Sequence, residues 1–181
     1  CSSSFRLTKD GLQDSKDCQK KVYQSDVQLP SGRMSVMLDI GSVGNLAGSQ
    51  WMIDMAKLCL RHGRKPASFK RDRPLSVSGV GTGAQCCTYN CHVPCAIPTL
   101  AGQGVGSYLK GTYKAPCVPN STLPALMGLE SLEQSRAVID CNTGKVYFLG
   151  PGDYKLADCL QPGTKCIQCE HAPSGHLMMP I

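Results

Sequence analysis

One carboxylate lies where a strand pattern gives way to a glycine-rich loop. The apolar positions Met34, Val36 and Leu38 alternate with their neighbours and predict a strand. This strand pattern ends at Asp39-Ile40-Gly41-Ser42. A carboxylate in that position can take up and release a proton. Taken alone, the triplet favours an ordinary loop acid whose side chain caps Gly41 or Ser42.

Two later segments accompany the Asp39 loop. Gly79-Val80-Gly81-Thr82-Gly83 connects two alternating runs, which predicts a long β-hairpin with a glycine-rich tip. Further along the chain, Leu126-Met127-Gly128 leads into a short predicted helix near Leu129–Gln134. The chain therefore offers an acidic loop, a hairpin and an apolar-apolar-Gly step, in that order.

This order of parts resembles the retropepsin-like aspartic proteases of retroviruses and retrotransposons, over roughly residues 22 to 150. That family has Asp-Thr-Gly or Asp-Ser-Gly in its active loop, a glycine-rich flap, and an apolar-apolar-Gly turn packed under the active loop. The resemblance implies a mostly-β fold, a single-lobe closed β-barrel with a flap hairpin and one or two short helices. It also implies that Asp39 is catalytic, that Ile40, Gly41, Ser42, Met127 and Gly128 support the active loop, and that Gly79, Val80, Gly81, Thr82 and Gly83 form the flap.

The implied activity is that of an aspartic-type endopeptidase, in which two carboxylates share one proton and activate a water. This sequence contains one Asp-x-Gly strand end of the right kind. Asp10-Gly11 lies in a polar lead-in, and Asp140 lies inside a predicted hairpin strand. We therefore expect a homodimer in which each chain contributes one Asp39, acting on a peptide or polyprotein without a cofactor.

The triplet departs from the family at its second residue. The family has Thr or Ser there, and its hydroxyl hydrogen-bonds across the dimer axis, whereas Ile40 has no hydroxyl. The alternative hypothesis is accordingly a catalytically inactive module of the same fold that dimerises or binds peptide.

The positive charge of the chain is local. Of the net charge of +6, all but +1 comes from the segment Arg61–Arg73, which has six basic residues and one acid. Because no aromatic residues alternate with these charges, we expect a solvated loop and no nucleic-acid partner. A third hypothesis, a nucleic-acid-associated basic or zinc module, would use this segment together with Cys166, Cys169, His171 and His176. Here the histidines follow the Cys-x-x-Cys pair too closely for a folded zinc module, so no metal site is expected.

The amino-acid composition indicates the cellular compartment of the chain and argues against a membrane span. The 12 cysteines in 181 residues are too few for a small disulfide scaffold, so we expect reduced thiols in an intracellular, cytoplasmic protein. No apolar run is long enough for a membrane span, and no membrane partner is expected. Because the chain begins at Cys1, we expect it to be part of a longer protein.

Local patterns predict the remaining organisation. We expect a flexible lead-in over 1–20, the protease-like domain over 21–152, and a turn-rich extension over 153–181 with at most a strand or two. The clearest helix is Ser49–His62, which Ser49 could cap and Gly63 could end. Pro94 predicts an edge or bent strand over 87–97, and Asn142-Thr143-Gly144 predicts a second hairpin, between Ala137–Cys141 and Lys145–Leu149.

Overall fold

The computed structural model describes residues 29–78, 83–100, 108–153 and 155–180. Within these residues the fold is mostly β, with two α-helices and one short 3-10 helix at Leu156–Cys159. The elements in chain order are β1 Val36–Asp39, β2 Ala47–Gly48, α1 Ser49–Arg61, β3 Ala67–Val77, β4 Gln85–Pro98, β5 Tyr108–Val118, β6 Ala125–Gly128, α2 Leu129–Gln134, β7 Ala137–Asp140, β8 Lys145–Phe148, β9 Glu170–His171 and β10 Leu177–Met178.

The largest sheet has four strands in the order β2-β5-β4-β3. β3, β4 and β5 pair antiparallel, and β2 joins β5 in parallel. Three further pairs stand apart from it: β1 with β6 in parallel, and the antiparallel hairpins β7–β8 and β9–β10. An isolated bridge between Leu46 and Leu126 connects the segment before β2 to β6.

The described strands do not close into the barrel that the resemblance implies. Closure requires the two edge strands of a sheet to pair with each other. Among the described residues, the edge strands β2 and β3 each have one partner, and the parallel pair β1–β6 forms a separate small sheet. Within the described part of the chain, the arrangement is therefore open and mostly β, and the expected closed barrel is wrong.

Helix α1 covers one face of the four-stranded sheet. Its apolar stripe packs Met52 and Cys59 against Val93, Tyr113 and Ala115 of the sheet, and all five are buried. The predicted helix is confirmed, with two local differences. The N-cap is Gly48, while the Ser49 hydroxyl contacts the backbone of Ser121, and the helix ends at Arg61, one residue early, before Gly63 at φ +66°.

The sequence predicted that the basic segment Arg61–Arg73 is a solvated loop, and this prediction is wrong for its second half. β3 begins at Ala67, so Lys70, Arg71 and Arg73 lie on a strand. Edge strands often carry charged side chains, because solvated charges discourage the strand from pairing with other chains. Here β4 supplies the hydrogen-bond partners, with a register shift between Lys70 and Leu75.

Other local predictions are confirmed. The helix α2 and the hairpin β7–β8 have the predicted positions, and Gly144 in the hairpin turn has φ +66°. β4 pairs on both sides, but β3 reaches it only as far as His92, so β4 is an edge strand at Pro94. In the part of the chain that is described, no helix has the length and apolar character required to cross a membrane.

Candidate active site

Asp39 is the last residue of β1 and lies opposite Gly128, the last residue of β6. The parallel register pairs Leu38 with Met127 and Asp39 with Gly128. The predicted proximity of Asp39 and Gly128 is thus confirmed. The strand is partly open to solvent, because Met37 and Leu38 are 40% and 39% exposed. Both the carboxylate and the strand that carries it are open to solvent on one side.

A tight turn fixes the backbone after Asp39. The amide of Gly41 donates to Asp39 Oδ1 at 3.0 Å, and the amide of Ser42 donates to the Asp39 carbonyl at 3.1 Å. The hydroxyl of Ser42 donates to the Gly44 carbonyl at 2.7 Å. These bonds hold the half-exposed carboxylate in one orientation, with a side chain that water can reach.

The first turn of α2 binds the far side of the same loop. The amides of Leu129 and Glu130 donate to the carbonyls of Ser42 and Val43 at 2.8 and 3.0 Å. These amides have no partner inside the helix, so the loop satisfies donors that would otherwise be unpaired. Gly128 permits this approach, since a Cβ there would lie 2.3 Å from the Gly44 carbonyl oxygen.

Asn45 connects the loop to two strands, a role that was not predicted from the sequence. Its Oδ1 accepts from the Gly128 amide and its Nδ2 donates to the Lys114 carbonyl, both at 3.0 Å. An asparagine in a glycine-rich loop has no distinctive pattern in a single sequence. Its role becomes visible only when β5 and β6 are brought beside the loop.

Tyr113 is the second residue that was missed. Its buried hydroxyl contacts the carbonyls of Leu46 and Leu126 at 3.0 and 2.7 Å, and its ring meets Trp51 edge-on at a centroid distance of 5.3 Å. Burial raises the pKa of the Tyr113 hydroxyl above its usual range, so it remains a neutral donor. The alternating pattern of 108–118 could have indicated β5, and hence this inward-facing ring.

The C-terminal segment contacts the same loop. Gly175, in the β9–β10 turn, is so near Val43 that a Cβ there would lie 3.1 Å from Val43 Cγ1. His171 Nε2 lies 3.3 Å from Glu133 Oε1 on α2. The segment 170–178 thus packs against both the Asp39 loop and the helix that supports it.

The remaining predicted residues are only partly described. Ile40 is 59% exposed, and Met127 is half-buried beneath the loop. Of the predicted flap, Gly79, Val80, Gly81 and Thr82 lie outside the described residues, while Gly83 has φ +78°. The arms of that hairpin are present, because Val77 at the end of β3 pairs with Gln85 at the start of β4.

The candidate zinc ligands are not brought together. His171 faces Glu133, and His176 Nδ1 lies 2.8 Å from the Ser174 hydroxyl. Nowhere among the described residues do three or more potential ligands form a group suited to a metal ion. The described cysteines are free thiols, several of them packed between α1 and the sheet.

Comparison with known proteins adds no family assignment: no family model matches the chain, and no curated protein matches it significantly in sequence. The function is therefore inferred from the chemistry and geometry of the loop.

Proposed function

We propose that the chain is an aspartic-type endopeptidase domain of retropepsin-like type that hydrolyses peptide bonds as a homodimer. The observation that carries the proposal is the arrangement around Asp39. The carboxylate ends β1 opposite Gly128, and the amides that follow Gly128 bond to the loop that follows Asp39. A carboxylate in a fixed and solvent-accessible position is what water activation requires.

The chemistry needs a second carboxylate, which a second copy of the chain would supply. At close range two carboxylates cannot both ionise easily, so one holds a proton at a pH where the other is charged. The charged Asp39 takes a proton from water as the water oxygen bonds to the peptide carbonyl carbon. The protonated Asp39 of the other subunit gives its proton to the carbonyl oxygen. Collapse of this intermediate breaks the C–N bond: the leaving nitrogen takes the proton that the first Asp39 received from water, and the other subunit's Asp39 recovers its proton from a hydroxyl of the intermediate.

The substrate in this proposal is an extended segment of a peptide or polyprotein. An extended chain can bind through main-chain hydrogen bonds to exposed strand edges, with side-chain pockets supplying selectivity. The resemblance gives the Gly79–Gly83 segment, between β3 and β4, the role of a flap that covers the bound peptide and excludes water. No step requires a metal or a cofactor.

The test compares two Asp→Asn variants of the full chain. Wild-type protein should cleave members of a peptide library at mildly acidic pH, and a statine-type transition-state analogue should stop the cleavage. Asp39→Asn should abolish activity, because the pair loses its shared negative charge. The matched control is Asp54→Asn on α1, where the carboxylate contacts Gln50 and Lys57 of its own helix. Cleavage by Asp39→Asn at the wild-type rate would refute the proposal.

A second candidate function has its own observation. Ile40 exposes 59% of its surface and has no hydroxyl to donate across a dimer axis. A dimer held by apolar contact alone could bind peptide without cleaving it. This alternative predicts a dimer in sedimentation and no cleavage of any library member by the wild type.

A further inference from the structure

The outer face of the four-stranded sheet carries a concave surface that borders the Asp39 loop at Gly44 and Asn45 but does not include Asp39. Helix α1 covers the other face of this sheet. The concavity has a volume of about 600 Å³ and lies between the outer face and α2. Its basic and polar lining includes Arg71, Asn90, His92 and Lys114, while Glu130 lies on the α2 side.

Strand pairing brings these residues together from distant parts of the sequence. His92 on β4 pairs with Ala67 on β3 and with Lys114 on β5. Neighbours directly across a sheet lie on the same face, and residues two apart on a strand also share a face. Asn90 therefore shares a face with His92 on β4, and Lys110 shares a face with Lys114 on β5. The residues that come from different strands are distant from one another in the sequence.

Arg71 is held in place on this surface. Its Nη1 donates to Asn90 Oδ1 at 2.6 Å, and its Nε donates to the Arg73 carbonyl at 3.2 Å. A guanidinium has five N–H donors, so one fixed by two bonds still has donors for an anion. Arg71 also lines a smaller concavity of about 380 Å³ with Lys70, Arg73 and one acid, Asp72, so three cations against one carboxylate extend the positive surface along β3.

An exposed pair of rings lies beside the charges. The rings of Phe69 and His92 have centroids 4.8 Å apart, and Phe69 is 52% exposed. Flat rings next to basic side chains suit unpaired bases, which stack on aromatic faces while the backbone phosphates meet the cations. An acidic peptide would use the cations and leave the rings without a role.

We propose that this outer face, centred on Phe69, His92, Arg71 and Lys114, binds single-stranded nucleic acid. The proposal is independent of the peptidase, since it uses the opposite side of β4 from α1 and does not involve Asp39. The sequence raised nucleic-acid binding through Arg61–Arg73 as its third hypothesis, but it did not indicate this surface, because His92 and Lys114 come next to Phe69 and Arg71 only through the pairing of β3, β4 and β5.

Fluorescence anisotropy with labelled 15-nucleotide single-stranded RNA and DNA, over 50–200 mM salt, tests the proposal. Each phosphate contact contributes about 0.7 to the slope of log affinity against log salt for single strands. Lys114→Gln should lower that slope by about this amount, and Lys114→Arg should restore it. Phe69→Leu should weaken binding about fivefold or more with the slope unchanged, as expected for lost stacking. The control Lys57→Gln, on α1, should behave as the wild type.

Several outcomes would overturn the proposal. The wild type could fail to bind at 50 mM salt, Lys57→Gln and Lys114→Gln could lose equal affinity for the nucleic acid, or Phe69→Leu could keep the wild-type affinity. A polyglutamate peptide that competes as well as the RNA would identify an acidic polypeptide as the partner instead. Circular dichroism of each variant separates lost binding from lost folding, and the Lys114→Arg rescue provides a second check.

Discussion

At the scale of single residues, Gly128 is where the Asp39 loop and the strand beneath it approach most closely. A Cβ at this position would lie 2.3 Å from the Gly44 carbonyl oxygen, 2.4 Å from the Gly44 carbonyl carbon and 2.8 Å from the Ser42 carbonyl oxygen. All three are backbone atoms, so no side-chain rotation can relieve the overlap. The small size of Gly128, more than its flexibility, lets α2 bind the loop.

Gly128→Ala should therefore destabilise the fold and the site together. Overpacking of this kind costs typically about 1–3 kcal/mol in the free energy of unfolding, and here the loop must also move. Urea unfolding measures the loss. Gly111→Ala on β5 is the matched control, because a Cβ there meets no atom within 4 Å. The free energy of unfolding of this variant should equal that of the wild type or be slightly higher. Equal stability of both variants would show that the loop yields without cost.

At the scale of elements, local sequence patterns predicted the helices and hairpins, because these are determined by residues a few positions apart in the sequence. The helices α1 and α2 and the hairpin β7–β8 have periodicity, glycine stops and turn residues within a few positions of one another. The parallel pairing of β1 with β6 joins segments far apart in the chain, and only the family resemblance suggested that Asp39 and Gly128 meet. Asn45, Tyr113 and the β9–β10 contact with Val43 were missed because each acts on a distant segment.

The thiols packed between α1 and the sheet make the stability of this layer sensitive to alkaline pH. Burial, with the nearby Cys117 thiol as a smaller cause, raises the pKa of Cys91 from 9.0 to about 11. In the unfolded chain Cys91 loses its proton near pH 9, whereas the folded protein retains it. Between pH 9 and 11 the folded state binds more protons than the unfolded state, so stability falls as the pH rises.

Urea unfolding under reducing conditions, repeated between pH 8 and 11, should show this decline. Cys91→Ala should make it shallower, because one of the thiols responsible is removed. Burial also raises the pKa of Cys59, Cys87, Cys95 and Cys117, so part of the decline should remain. The control is Cys141→Ala in the exposed β7–β8 turn, which should retain the wild-type pH dependence. Identical slopes for Cys91→Ala and the wild type would contradict the assignment.

At the scale of the whole molecule, the single chain is chemically incomplete for the proposed reaction. It supplies one Asp39, and the apolar side chains next to it, Met37, Leu38 and Ile40, are 40%, 39% and 59% exposed. Apolar side chains grouped beside an acid are costly to leave in water, and a second copy of the chain would cover them. Dimerisation would thus bury this surface and bring the second carboxylate to the first.

Ile40 is the residue at which assembly and activity can be separated. Ile40→Thr would introduce a hydroxyl that can donate across the dimer axis, worth about 0.5–1.5 kcal/mol net per bond, and two-fold symmetry makes two such bonds. We expect the dissociation constant of the dimer, measured by sedimentation, to fall about fivefold or more, and peptide cleavage to rise with it. Because Val has nearly the shape of Thr without the hydroxyl, Ile40→Val is the control and should show neither gain. Asp39→Asn in the Ile40→Thr background must abolish cleavage while keeping the tighter dimer. If Ile40→Thr and Ile40→Val behave alike, the missing hydroxyl does not limit this protein.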